Sequence, residues 1–141
     1  MLFAGEKDFD SIKRVFYKHK KWFPHVRTDY MKRMIAKKQM IFEDGIIITF
    51  HHTKRRQSIG DVQVRKGDTV LHQIANAEPG SGNAKVILQN FFEWCPRDVF
   101  LSVRSDNEKA CKFYEQIGMT LIGKTSWARG TLPGKVYVMR K

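Results

Sequence analysis

The sequence predicts a mixed α/β fold with a mainly antiparallel central sheet flanked by helices. Three observations point to it. Residues 8–38 place apolar side chains at helical spacing. Residues 40–75 change to short β-branched runs separated by Gly-containing turns. Residues 83–139 alternate helical and extended patterns, so that a strand–helix–strand crossover completes the sheet.

Met1 to Ala4 reads as a short edge strand. Asp8, Asp10 and Ser11 supply helix-start chemistry, and Ile12, Val15, Phe16 and His19 share one face. Pro24 ends that helix. Thr28 and Asp29 open a second helix carrying Tyr30, Met31, Met34 and Ile35. Met40–Phe42 and Ile46–Phe50 flank Glu43-Asp44-Gly45, and Asp-Gly between two such runs signals a hairpin. Ile59–Arg65 and Thr69–Ala75 read as another pair around Lys66-Gly67-Asp68. A helix follows from Asn83 to Cys95, with Ala84, Ile87, Leu88, Phe91 and Cys95 on one side, and Pro96 stops it. Val99–Arg104 alternates as a strand. Ala110, Phe113, Tyr114 and Ile117 then share a helix face, and Gly118 ends that helix. Met119–Trp127 and Lys135–Met139 are the last strands, joined through a Gly130–Gly134 loop. The order is β-α-α-β-β-β-β-α-β-α-β-β.

With 141 residues and a hydrophobic fraction of 42%, the chain is expected to form one domain, residues 1–141, with a real core. Its apolar runs are too short for a transmembrane helix, and the N-terminus has no apolar signal segment. A cytoplasmic location is expected. Cys95 and Cys111 are too few for a disulfide framework and read as buried thiols. The net charge is +12. Residues 1–70 hold 16 Lys and Arg against 8 Asp and Glu, and residues 71–141 hold 10 against 6. Such a surplus favours polyanionic partners.

Two stretches carry chemistry. Ala77-Glu78-Pro79-Gly80-Ser81-Gly82-Asn83-Ala84 joins a strand to a helix. Gly80 and Gly82 permit close approach of a ligand, and the free N–H groups of the following helix favour an anion there. Asn107 to Met119 sets one Tyr on a packed helix face just past a strand end. This second segment resembles the Asn-x-x-Ala-x-x-x-Tyr-x-x-x-Gly-Phe motif of the GCN5-related N-acetyltransferase (GNAT) superfamily. The first resembles that superfamily's Arg/Gln-Gly-x-Gly-x-Gly/Ala loop, with Gly80, Gly82 and Ala84 at the small positions and Pro79 in place of Arg or Gln.

The resemblance implies an acetyltransferase fold with a splayed strand pair and acetyl-coenzyme A, or another acyl-coenzyme A, as cofactor. Gly80, Ser81, Gly82, Asn83 and Ala84 would cradle its pyrophosphate. The strand near Ile74 and Asn76 would hydrogen-bond its pantetheine arm like an added strand. Tyr114 would protonate the leaving thiolate, and Asn107 would hold the arm or cap its helix. His72, on the strand entering the cradle, is a candidate base. No metal is expected, because His51-His52 is a poor ligand pair and no other cluster has ligand spacing.

Lys20, Lys21, Trp22, Arg27, Tyr30 and Arg33 interleave cations and rings on the first two helices, and Lys54-Arg55-Arg56 adds a basic loop. Such a surface suits phosphate contacts with base stacking. Trp127 and Arg129 could close over an acceptor or join two copies, so the chain is expected as a monomer or homodimer. The reading is an acyl-coenzyme A-dependent N-acyltransferase acting on an amine. Two alternatives stay open on the same fold. One is a nucleic-acid modification enzyme acting on DNA bases or tRNA, of phage or mobile-element type. The other is a non-catalytic nucleic-acid-binding module.

Overall fold

The computed structural model describes residues 1–141. A single turn of 3-10 helix at Glu6–Asp8 leads into α1 (Phe9–Lys18), followed by α2 (Thr28–Ala36). Five strands come next: β1 (Met40–Glu43), β2 (Ile46–His52), β3 (Gln57–Ile59), β4 (Val62–Val64) and β5 (Thr69–Asn76). The chain continues through α3 (Asn83–Trp94), β6 (Val99–Arg104), α4 (Glu108–Gln116), β7 (Thr120–Trp127) and β8 (Leu132–Met139). Six strands form a mixed, mainly antiparallel sheet in the order β1-β2-β5-β6-β8-β7, and β3 and β4 form a separate pair. No helix is long and apolar enough to cross a membrane. The chain divides into two compact units, residues 1–50 with 72–91, and residues 51–71 with 92–141.

The first unit is built on its helix faces. Ile12, Val15 and Phe16 of α1 and Met31, Met34 and Ile35 of α2 recur at three- and four-residue spacing and are buried with Met40, Ile47 and Ala75. β2 is buried on both faces from Ile46 to Phe50, apolar except for Thr49. Its hairpin with β1 turns at Asp44 and Gly45, both at positive φ (50° and 77°), as an Asp-Gly turn of the I′ kind requires. The expected N-terminal strand is reduced to one bridge, Phe3 to Ile41.

In the second unit, β6 pairs antiparallel with β8 from Val99↔Met139 to Arg104↔Gly134, and β5 pairs parallel with β6 at Thr69↔Val99 to Leu71↔Leu101. Val62, Val64, Val70, Phe100, Val136 and Val138 form one core cluster in it. The expected hairpin of 59–65 with 69–75 is not made. Instead β3 and β4 pair around Gly60 (φ 57°), where a Cβ would lie 2.1 Å from the Lys124 carbonyl. Asp61 fixes this turn to β7: its N–H donates to the Lys124 carbonyl (3.2 Å), and its Oδ1 accepts from the Lys124 N–H (2.9 Å). Asp68, buried, closes the loop before β5 by accepting from the Arg65 N–H at 2.9 Å.

Candidate functional site

The glycine loop belongs to the first unit. It leaves β5 through Asn76, whose Oδ1 accepts from the Glu78 N–H at 2.9 Å in a local turn. Gly80 and Gly82 stand at φ 89° and 85°, and a Cβ built on either meets nothing within 4 Å. The loop thus presents bare backbone to open space and runs straight into the first turn of α3. Asn83 is tied down, its N–H 3.4 Å from Ser81 Oγ and its amide 3.5 Å from the Asp44 carbonyl. The next amides, from Ala84 on, have no carbonyl of their own helix to meet. Backbone N–H groups, a helix dipole and missing side chains are together what the binding of an anion would require. Pro79, exposed, adds no charge to it.

The strand end before the loop is clamped by α1. His19 Nε2 donates to the Asn76 carbonyl at 2.8 Å, and Lys18 Nζ to the Ala77 carbonyl at 2.9 Å. One lone pair of the Asn76 carbonyl is therefore occupied from within the protein. Ile74 is half-buried and His72 exposed on the same strand. Between them, Gln73 anchors a polar knot: Tyr30 OH donates to Gln73 Oε1 at 2.9 Å, Thr49 Oγ1 donates to the same oxygen, and the Gln73 N–H donates to Thr49 Oγ1 at 3.0 Å. Burial raises the pKa of Tyr30, partly offset by its two hydrogen-bond partners. In the sequence Tyr30 belongs to the cation-and-ring surface expected to contact phosphates and bases. The structure ties its hydroxyl into this knot, and its ring lies 5.5 Å from the Arg33 guanidinium.

The remaining first-unit cations are solvent-facing. Lys20 and Lys21 follow α1, Arg27 precedes α2, and all three are exposed. Lys21 Nζ lies 4.8 Å from the centre of the half-buried Trp22 ring. In the second unit, Lys54, Arg55 and Arg56 form an exposed turn between β2 and β3.

The second unit also holds Asn107 and Tyr114. Asn107 caps α4: its Oδ1 accepts from the Ala110 N–H at 3.3 Å. Tyr114 is buried on the inner face of α4, its ring centre 5.8 Å from Phe113 and 5.9 Å from Tyr137. Burial, then the nearby Cys111, hold its pKa well above that of a free phenol. No buried side-chain oxygen or nitrogen in the protein lacks a partner. The Tyr114 hydroxyl pairs with no protein group, so it is not sealed in. Tyr137 differs: its hydroxyl donates to Glu115 Oε2 at 2.8 Å, and burial together with that carboxylate raises its pKa. Of the two phenols, only that of Tyr114 is uncommitted.

Neither a family model nor a curated protein matches this chain. Solved structures do. An acetyltransferase of the GNAT family from Bacillus cereus is 20% identical, with 99% of this chain and 94% of that one covered at a TM-score of 0.76. A GNAT-family acetyltransferase from Streptococcus agalactiae is 16% identical, covering 99% and 93%, with a TM-score of 0.78. Arabidopsis thaliana NAA60 in complex with acetyl-CoA is 11% identical, covering 98% and 96%, with a TM-score of 0.71. At these identities the likeness is one of architecture, and it extends over nearly the whole of each chain. The protein has the GNAT acetyltransferase fold.

Proposed function

We propose that this protein is an acyl-coenzyme A-dependent N-acyltransferase, with acetyl-coenzyme A as donor and an amine as acceptor. The observation that carries the reading is the Gly80–Gly82 loop. Two glycines at positive φ face open space and lead into a helix N-terminus, on a fold shared with acetyltransferases. That arrangement fits a pyrophosphate: the amides supply donors, and no Cβ obstructs them. Gly80, Ser81, Gly82, Asn83 and Ala84 would hold it, and the backbone at Ile74 and Asn76 would receive the pantetheine arm. His19 already donates to the Asn76 carbonyl, so at that residue the arm would find a second lone pair or the N–H.

When bound, the coenzyme supplies the acyl group as a thioester. The chain must supply a proton for the departing thiolate, and Tyr114 suits that task. Its raised pKa keeps Oη protonated through neutral pH, and no protein acceptor competes for the proton. Phe113 and Tyr137 fix the ring, which holds the hydroxyl in one direction. Asn107 serves as the cap that sets the start of α4. His72, exposed at the base of the first unit's part of β5, is the side chain proposed to accept the acceptor's proton.

Titration calorimetry with acetyl-coenzyme A tests the reading, alongside mass spectrometry of the purified protein for co-purified coenzyme. Binding abolished by Gly82→Glu is the expected result. No heat with the wild-type chain and no retained coenzyme would overturn the proposal and favour a non-catalytic module on this fold.

A further inference from the structure

We propose that the α1–α2 face of the first unit binds single-stranded nucleic acid, with one base in an aromatic cavity and the neighbouring phosphates on the surrounding cations. The inference does not depend on acyl transfer. It rests on three features that coincide on one short segment.

The first is charge without carboxylate partners. Residues 9–38 contain ten Lys and Arg and only two Asp. The ion pairs of the protein lie elsewhere: the N-terminal amine with Glu43, Arg104 with Asp106, and Arg140 with Asp98. Lys18 is engaged structurally with the Ala77 carbonyl. The other cations of the segment meet no carboxylate, so their field is directed at solvent. A partner that brings its own anions removes that repulsion and releases counterions.

The second is the company these cations keep. Lys13, Lys21, Lys32 and Arg33 each lie 4.8–5.7 Å from the centre of a ring, those of Tyr17, Trp22, Phe9 and Tyr30 respectively. Alternating cations and rings match the alternating phosphates and bases of an unpaired strand.

The third is the cavity itself. A half-open cavity of about 340 Å³ is lined by Phe16, Tyr17, Lys20, Phe23, Val26 and Met31. Phe16 and Phe23 meet edge to face at 5.4 Å and 83°, which makes a stiff wall. Tyr17 is 59% exposed at the mouth, and Lys20 stands beside it. The volume lies at the small end of ligand cavities, which run about 300–1,000 Å³. It suits a planar ring and its sugar better than a large ligand. A membrane is the wrong occupant, because the apolar stripes of α1 and α2 are turned inward into the core. A duplex is also disfavoured, since its bases are stacked on one another and offer no face to Tyr17.

The test is fluorescence anisotropy of the full chain with a labelled single-stranded oligothymidine of about a dozen nucleotides, repeated between about 50 and 200 mM salt. Affinity should fall as salt rises. Tyr17→Ser should weaken binding roughly five-fold or more and leave the salt slope unchanged. Lys20→Gln and Lys21→Gln should each reduce that slope by about 0.7. A duplex of equal length and polyglutamate should bind at least about ten-fold more weakly. Equal binding of the duplex or of polyglutamate, no effect of Tyr17→Ser, or no binding at all would each overturn the proposal. Tyr17 is exposed, so its loss spares the fold, and an unchanged melting temperature verifies this. Coenzyme binding is read separately by calorimetry, so either proposal can fail without the other.

Discussion

Tyr114 and Tyr30 are both rings in a core, yet their hydroxyls have opposite fates. Tyr30 donates to Gln73 in a closed polar knot, whereas Tyr114 has no protein acceptor. Changing Tyr30 to Phe deletes one hydrogen bond from a knot that keeps Thr49 as the other donor to Gln73. We expect a loss of about 1 kcal/mol in urea unfolding. A wild-type midpoint would mean that Tyr30 contributes only its ring. Tyr114→Phe keeps the contacts with Phe113 and Tyr137 and removes only the proton. Acetyl transfer to an amine should then fall about 10²-fold or more, with the calorimetric affinity for acetyl-coenzyme A nearly unchanged. Undiminished turnover would reject the acid role. The resemblance of the segment Asn107 to Met119 to the GNAT motif pointed to Tyr114 in the sequence. Nothing local pointed to the knot, because its members are 24 and 43 residues apart.

At the scale of elements, two glycine turns look alike in sequence and differ in what surrounds them. Gly60 turns β3 into β4 where a Cβ would collide with the Lys124 backbone at 2.1 Å, and Thr125 is 2.7 Å away. Gly82 turns into α3 where a Cβ would meet nothing. Gly60→Ala should therefore cost about 2–4 kcal/mol or prevent folding, from positive φ and a backbone clash together. Gly82→Glu should leave the circular dichroism of the protein intact and abolish coenzyme binding. If Gly82→Glu unfolds the chain as Gly60→Ala does, the loop is a structural turn and not a cradle. The same contrast explains what could be read in advance. The Asp44-Gly45 hairpin, the Gly118 stop and the inward stripes of α1 and α2 are local patterns, and each was legible; the Pro24 stop was not met, because α1 already ends at Lys18. The β3–β4 pair was not legible: 59–65 reads as one strand without naming its partner, and Lys124 lies 63 residues beyond Asp61. The α1 clamp was hidden likewise, since His19 reaches the Asn76 carbonyl across 57 residues.

For the whole molecule, the buried ionisable groups set the response to alkali. Burial pushes the Cys95 thiol from 9.0 up to about 11, and Tyr30, Tyr114 and Tyr137 are all raised above 10.0. Each of these groups holds its proton longer in the folded chain than in the unfolded one. Above pH 9 the native state therefore binds more protons, and stability must fall as pH rises. Cys95 acts first. Its contribution is intact below pH 9.0 and is lost progressively as pH climbs to about 11. A shift of that size corresponds to roughly 2–3 kcal/mol. The tyrosines add to the decline above pH 10.0. Urea unfolding between about pH 7 and 11 should show the midpoint level at first and then dropping. Cys95→Ala removes the earliest titration, so its curve should stay flat to about pH 10 before it bends. The variant loses some stability at every pH from the missing sulfur, but the difference from wild type should narrow in alkali. Parallel curves for the two proteins would show that the thiol titrates as it does in water, and that the base of α3 is open to solvent.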